Sequence, residues 1–127
     1  MRVDIKPNLK KKGFFTVVPC GSIDSESHNN FRESVEPLLV KSTRGILVDL
    51  KDVDYISSAG FGVLFSMQHF LKENKSELLF CHLKPHIQKL FDVMKTLPSE
   101  NVFKSLEEAD EYLLNIVEDE IKKQQEK

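Results

Sequence analysis

Short apolar runs alternate along this chain with stretches in which apolar residues recur at helical spacing. Continuous apolar runs at 14–18, 46–50 and 78–81 predict strands that are buried on both faces or nearly so. Residues 3–5 alternate between apolar and polar and predict an edge strand, and 102–103 is a further short candidate. The pattern therefore predicts at least three central strands.

Four segments carry apolar residues at the i, i+3, i+4 and i+7 spacing of an amphipathic helix. In the first segment Asp24 or Ser25 is the expected N-cap, and Pro37 is expected to kink the helix or to make it restart. The fourth segment has acidic residues early and lysines late, the order that the helix macrodipole favours. The predicted helices span 25–41, about 60–74, about 85–95 and about 106–124.

Strands that alternate with helices predict an α/β fold, here a small mixed, mostly parallel sheet flanked by about four helices. The 127 residues fit a single domain over 1–127. Its compact part is expected at about 3–112, and the C-terminal helix is expected to extend to about 124. The side chains expected in the core are those of Val17, Leu47, Val48, Leu64, Leu79, Leu90 and Phe91.

Composition and charge narrow the function classes. The chain has 18 Lys and Arg against 20 Asp and Glu, a formal net charge of −2, so no overall basic field favours nucleic acid. The longest uncharged stretch, 55–71, contains serines and glycines and is shorter than the ~20 apolar residues of a membrane span. Cys20 and Cys81 each lie in an apolar run, which is typical of buried thiols in a reducing compartment. We expect a cytoplasmic protein with no membrane or nucleic-acid contact.

The segment from 49 to 64 passes from a strand through a polar turn into a helix that begins with small, hydroxylated residues. Ser57 and Ser58 can cap that helix or present a hydroxyl to an anion. Gly60 and Gly62 permit close backbone approach. The glycine pattern of a nucleophile elbow, a complete dinucleotide fingerprint and a P-loop are all missing from the sequence. No catalytic set can be assembled, so we expect a protein that is not an enzyme.

Neither a metal site nor a cofactor is expected from the spacing of ligand-type residues. His82 and His86 are close in sequence, but Pro85 separates a strand end from a helix start, so the two rings need not share a face. The acidic residues at 49, 52 and 54 lack the glycine and the terminal glutamate of an EF-hand loop, so this segment is interpreted as a solvated turn.

Several segments together resemble the STAS domain, the fold of bacterial anti-sigma factor antagonists. The resemblance covers about 3–112, and its most specific part is the order Ser-Ser-Ala-Gly-Phe-Gly after a strand. The segments that carry it are Gly21-Ser22-Ile23-Asp24, Leu47-Val48-Asp49-Leu50, Val53 to Leu64, and Lys84-Pro85-His86-Ile87-Gln88-Lys89-Leu90-Phe91.

The resemblance implies a switch controlled by phosphorylation. Ser58 matches the serine that is phosphorylated by an anti-sigma factor with serine kinase activity and dephosphorylated by a serine phosphatase. Asp24 matches an acidic residue near that serine, and Gly60 and Phe61 match positions that touch the partner. Ser57 stands where the family often has Asp. The expected contact surface is formed by these five residues, with Phe61 partly exposed.

In this interpretation the unphosphorylated protein sequesters the anti-sigma factor and is a monomer when free. The alternative is an unphosphorylated STAS-type structural or ligand-binding module that partners a transporter or a signalling assembly. The two hypotheses differ in whether Ser58 accepts a phosphate.

Overall fold

The computed structural model describes residues 1–94, 102–103, 107–109 and 111–112, and residues 107–109 and 111–112 are helical. Its strands and helices follow in the order β1 (Arg2–Pro7), β2 (Phe14–Ile23), α1 (His28–Val35), a short 3-10 helix (Glu36–Leu38), β3 (Gly45–Asp49), β4 (Val53–Ile56), α2 (Ser58–Glu73), β5 (Glu77–Cys81), α3 (Pro85–Met94) and β6 (Val102–Phe103).

The six described strands form one mixed sheet in the order β1-β2-β3-β5-β6, with β4 paired to β2. β1 is antiparallel to β2, whereas β2–β3, β3–β5, β5–β6 and β2–β4 are parallel. The predicted mixed, mostly parallel sheet is therefore confirmed. β1 lies at the edge, as the alternating pattern of residues 3–5 predicts.

β4 is absent from the sequence-based prediction, which placed a polar turn over this segment. Val53 and Ile56 are buried while Asp54 and Tyr55 between them are exposed. Two polar or amphipathic residues between two apolar ones match neither a buried run nor strict alternation. The pairing of β4 with the end of β2, Gly21 with Val53 and Ile23 with Ile56, makes it a strand.

The first helix is shorter than predicted. α1 begins after Ser27 rather than after Asp24 or Ser25, and the chain continues from Val35 into the 3-10 helix that contains Pro37. Proline at the start of that short helix needs no backbone N–H there, which explains why the α-helix stops and a tighter turn takes over. The predicted break at Pro37 is confirmed, and the predicted N-cap is wrong.

Side chains that alternate along the strands supply two separate apolar clusters. Val17, Ile46, Val48, Leu78 and Phe80 project to the face that is covered by α1, α2 and α3. The opposite face is covered by the helical segment that contains Ala109. The buried residues of this second cluster are Phe14, Leu47, Leu79, Cys81 and Ala109.

The core prediction is correct except at one position. Leu90 on α3 is only partly buried, and it packs against the larger cluster from the side. Ile87 and Phe91 point to the sheet instead, because α3 is rotated so that these two residues form its inner stripe. The prediction of a C-terminal helix beyond residue 112 lies outside the described residues. None of the described helices is both long and apolar enough to cross a membrane.

Candidate functional site

The candidate site lies where β4 ends and α2 begins. The Ser57 N–H donates to the carbonyl of Ile23 at 2.8 Å, which joins the end of β2 to the start of α2. Ser57 has an extended backbone, and its hydroxyl oxygen accepts the Gly60 N–H at 3.2 Å. Ser57 is therefore the N-cap of α2, and its half-buried side chain is engaged in holding the first turn.

Ser58 is the first residue of α2 and its side chain is exposed. The N–H groups of Ser58 and Ala59 precede the first hydrogen bond that closes within the helix, from Phe61 N–H to the Ser57 carbonyl at 2.9 Å. A group attached to the Ser58 oxygen therefore meets solvent on one side and the positive end of the helix dipole on the other. Of the two adjacent serines, Ser58 is the accessible one.

Asp24 lies in the turn that follows β2, directly after the residue whose carbonyl binds Ser57. Its carboxylate accepts the backbone N–H groups of Ser27 at 3.0 Å and Glu26 at 2.9 Å, and the Ser27 hydroxyl at 3.1 Å. The hydrogen bond from Ser27 N–H, followed by that from Glu26, holds the pKa of Asp24 below its ordinary value of 3.8. Asp24 therefore shapes the turn beside α2 and carries a negative charge there.

The structure places Gly60 beneath the expected contact surface and not on it. Gly60 is buried against β2. A Cβ added at this residue would lie 2.5 Å from the Ile23 carbonyl oxygen and 2.9 Å from the Cγ2 atoms of Ile23 and Ile56. Glycine is required here because the helix start rests directly on the sheet.

The expectation that Phe61 is partly exposed is wrong. Its side chain is 2% exposed, and its ring lies 5.4 Å from that of Phe91 and 5.9 Å from that of Phe65, measured between centroids. Phe61 is four residues after the N-cap, on the stripe of α2 that continues through Leu64, Met67 and Leu71 into the core. Phe61 contributes to packing at this site and offers no free ring to a partner.

Sequence reasoning missed the exposed residues of β4 that precede Ser58. Tyr55 is 49% exposed, although it is a large side chain. Asp54 binds Lys84 Nζ at 2.7 Å, and this hydrogen bond with the lysine lowers the pKa of Asp54. His86 Nε2 also contacts the Asp54 carbonyl. These two contacts hold the start of α3 beside β4. If β4 had been recognised as a strand in the sequence, the exposure of Asp54 and Tyr55 could have been predicted.

Comparison with known proteins identifies the fold and the family. Residues 6–109 match the STAS domain. The chain belongs to this family. The resemblance of the sequence to the STAS domain is thereby confirmed.

Two curated relatives are named for sigma-factor control. BtrV of Bordetella bronchiseptica, named as a candidate anti-sigma factor antagonist, is 32% identical over 73 residues, which are 58% of this chain and 63% of that protein. The alignment thus spans just under two thirds of the length of that relative. The anti-sigma-B factor antagonist of Staphylococcus aureus is 28% identical over 93 residues, 73% of this chain and 85% of the relative.

A solved structure shares the architecture at low sequence identity. The Bacillus anti-sigma factor antagonist SpoIIAA in its unphosphorylated form superposes with a TM-score of 0.75 and 12% identity, over 90% of this chain and 97% of that one. This similarity confirms the mixed α/β fold.

Proposed function

We propose that this chain is an anti-sigma factor antagonist that is controlled by phosphorylation of Ser58. The unphosphorylated protein binds an anti-sigma factor with serine kinase activity and so releases a sigma factor, and a serine phosphatase restores this form after modification. The two relatives named for this role support the class of function. The exposed hydroxyl of Ser58 at the first residue of α2 is the observation that carries the choice of site.

A phosphate on Ser58 is compatible with the fold. It adds roughly −1.5 to −2 charges and three acceptor oxygens. The N–H groups of Ser58 and Ala59 at the start of α2 favour an anion there. The modification therefore changes the surface that the partner meets and leaves the packing of α2 in place. A contact that needs close approach to a small hydroxyl is lost when a dianion replaces it.

The surface we assign to the anti-sigma factor is formed by the Asp24 turn, Ser57, Ser58 and the exposed side chain of Tyr55. Gly60 and Phe61 act beneath it, since they set how closely α2 lies on the sheet. Gly60 and Phe61 therefore determine the shape of this surface but do not contact the anti-sigma factor directly.

The proposed antagonist is a binding module without catalytic activity of its own. It needs no cofactor, works as a single copy until it meets its partner, and acts in the cytoplasm, where sigma factors act. The alternative, a STAS-type module that partners a transporter or a signalling assembly without phosphorylation, is less well supported because both relatives are named as antagonists.

Phosphopeptide mapping tests the proposal. The protein is incubated with ATP and the anti-sigma kinase of its own organism, and its intact mass is compared with that of protein isolated from the same cells. One phosphate on Ser58 is expected in both samples. Ser58→Ala should abolish the label, whereas Ser57→Ala should retain it as the matched control. A label on Ser57, or no label on the protein, contradicts the proposal.

A further inference from the structure

Three side chains of different ligand type converge at one end of the central strands. Asp49 is the last residue of β3 and Cys81 is the last residue of β5, and the two are partners in the parallel register. Partners in register project to the same face of a sheet, so the carboxylate and the thiol lie together. His82 follows directly. One oxygen, one sulfur and one nitrogen of these residues all lie within 4.8 Å of one another.

The distances fit one small tetrahedral ion. His82 Nδ1 lies 3.0 Å from Asp49 Oδ1 and 3.8 Å from Cys81 Sγ. Zinc bonds of about 2.3 Å to sulfur and about 2.0–2.1 Å to nitrogen or oxygen, at tetrahedral angles, separate nitrogen from sulfur by about 3.5 Å and nitrogen from oxygen by about 3.3 Å. The nitrogen–oxygen and nitrogen–sulfur distances in the structure each differ from these values by about 0.3 Å.

The backbone holds the imidazole in this position. His82 has φ = +58°, in the left-handed region that few residues other than glycine adopt. The strand ends at Cys81, and this conformation turns the next side chain back towards Asp49. Asp49 is 2% exposed whereas His82 is 34% exposed, so the imidazole lies on the solvent side of the cluster.

We propose that Asp49, Cys81 and His82 form a site for a divalent zinc ion. The donor set of thiolate, imidazole and carboxylate is one that zinc prefers, and three protein ligands leave a fourth position for water or a ligand from a partner. Binding replaces the proton of the Cys81 thiol, which is released to solvent, and uses the His82 tautomer that carries its proton on Nε2. Two negative ligands then balance the two charges of the ion.

One neighbouring cation competes with the ion. Lys51 Nζ lies 4.0 Å from Asp49 Oδ2, and the Lys51 side chain is 55% exposed. The Lys51 N–H donates to Asp49 Oδ1 at 3.1 Å, which fixes the carboxylate independently of the ammonium group. Removal of the ammonium by Lys51→Met should therefore tighten zinc binding by about two- to fivefold, the range of an exposed ion pair.

Cobalt(II) provides a spectroscopic test. The reduced, metal-free full chain is titrated with Co²⁺, and zinc affinity is measured by competition with a chromophoric chelator. We expect a thiolate-to-cobalt charge-transfer band and the visible bands of a tetrahedral ion, both displaced by one equivalent of Zn²⁺. Absence of the charge-transfer band in the folded protein overturns the proposal.

Variants locate the ligands. His82→Asn keeps a residue that tolerates positive φ, and we expect it to fold and to bind zinc at least about 10- to 100-fold more weakly, which is the usual effect of losing an outer-shell partner. Cys81→Ser should lose the charge-transfer band, and Cys20→Ser is the matched control that should retain it. If Cys20→Ser loses the band, or if His82→Asn binds zinc as the parent does, the site is wrong.

Discussion

At the scale of single residues, two glycines two positions apart in α2 have opposite surroundings. A Cβ on Gly60 would meet the Ile23 carbonyl at 2.5 Å, whereas a Cβ on Gly62 would meet nothing within 4 Å. The same substitution at the two positions therefore separates packing from helix propensity. The sequence alone does not distinguish these two glycines. Their surroundings differ only because α2 packs against β2 at Gly60 and not at Gly62.

Gly60→Ala should destabilise the protein by about 1–3 kcal/mol, since the added methyl forces the start of α2 away from β2. Gly62→Ala should stabilise it by about 0.5–1 kcal/mol, because alanine loses less backbone entropy in a helix. Chemical denaturation of the two variants and the parent measures both changes. Equal effects of the two substitutions would contradict the close approach of Gly60 to Ile23.

Asp24 should make stability depend on pH in the acid range. Its pKa is lowered in the folded protein by the N–H groups of Ser27 and Glu26, so the charged carboxylate stabilises the turn above the ordinary value of 3.8. This contribution is lost as the pH falls below 3.8 through the folded pKa. The difference in stability between the parent and Asp24→Ala should therefore shrink in acid.

Urea denaturation between about pH 5 and pH 3 measures that difference. Asp24→Asn is the control, because an amide oxygen still accepts N–H groups and does not titrate. The difference between Asp24→Asn and Asp24→Ala should stay constant over the same range. A parent curve that runs parallel to both variants would show that the carboxylate charge does not stabilise the turn.

At the scale of elements, the two serines at the start of α2 have separate roles. The Ser57 hydroxyl accepts the Gly60 N–H, whereas Ser58 lies exposed on the first turn. Ser57→Ala should cost about 1 kcal/mol, the usual value of a lost N-cap, and Ser58→Ala should change stability by less than about 0.5 kcal/mol. Thermal denaturation of both variants checks this order, and the reverse order would assign the cap to Ser58.

The central strands follow from the sequence pattern more readily than β4, which borders the site. β2, β3 and β5 contain continuous apolar runs because both of their faces are covered, and such runs are visible without a structure. β4 depends on pairing with the end of β2, and a pairing partner cannot be found from local periodicity. The sequence pattern alone therefore predicts a turn at Asp54 and Tyr55, where the structure has β4.

At the scale of the whole molecule, the fold class and the family could both be predicted from the sequence. The alternation of strands with helices and the Ser-Ser-Ala-Gly-Phe-Gly motif are local features, so they can be recognised without a structure. The sequence did not predict which residues of the site are buried and which are exposed. Phe61 is buried because it lies on the stripe of α2 that packs into the core, where its ring contacts that of Phe91, and Asp49 lies beside Cys81 because of the β3–β5 register. Both facts depend on contacts between residues far apart in the chain.

The proposed switch requires that charge at Ser58 affects binding but not folding. Ser58→Asp should fold at least as stably as the parent, because a carboxylate at the first turn interacts favourably with the helix dipole by about 0.3–1 kcal/mol. It should bind the anti-sigma factor more weakly, with one charge imitating part of a phosphate. Ser58→Ala should bind as the parent does and should no longer respond to ATP.

Ser66→Asp controls for charge alone. Ser66 is exposed on the same helix, about 12 Å along its axis from Ser58, and its substitution adds the same charge away from the N-terminus. Calorimetric titration of the anti-sigma factor into each variant gives the affinities, and denaturation gives the stabilities. Weaker binding of Ser58→Asp but not of Ser66→Asp, with both proteins folded, would assign the switch to the start of α2. Equal weakening by both would mean that overall charge, rather than the position of Ser58, controls the partner.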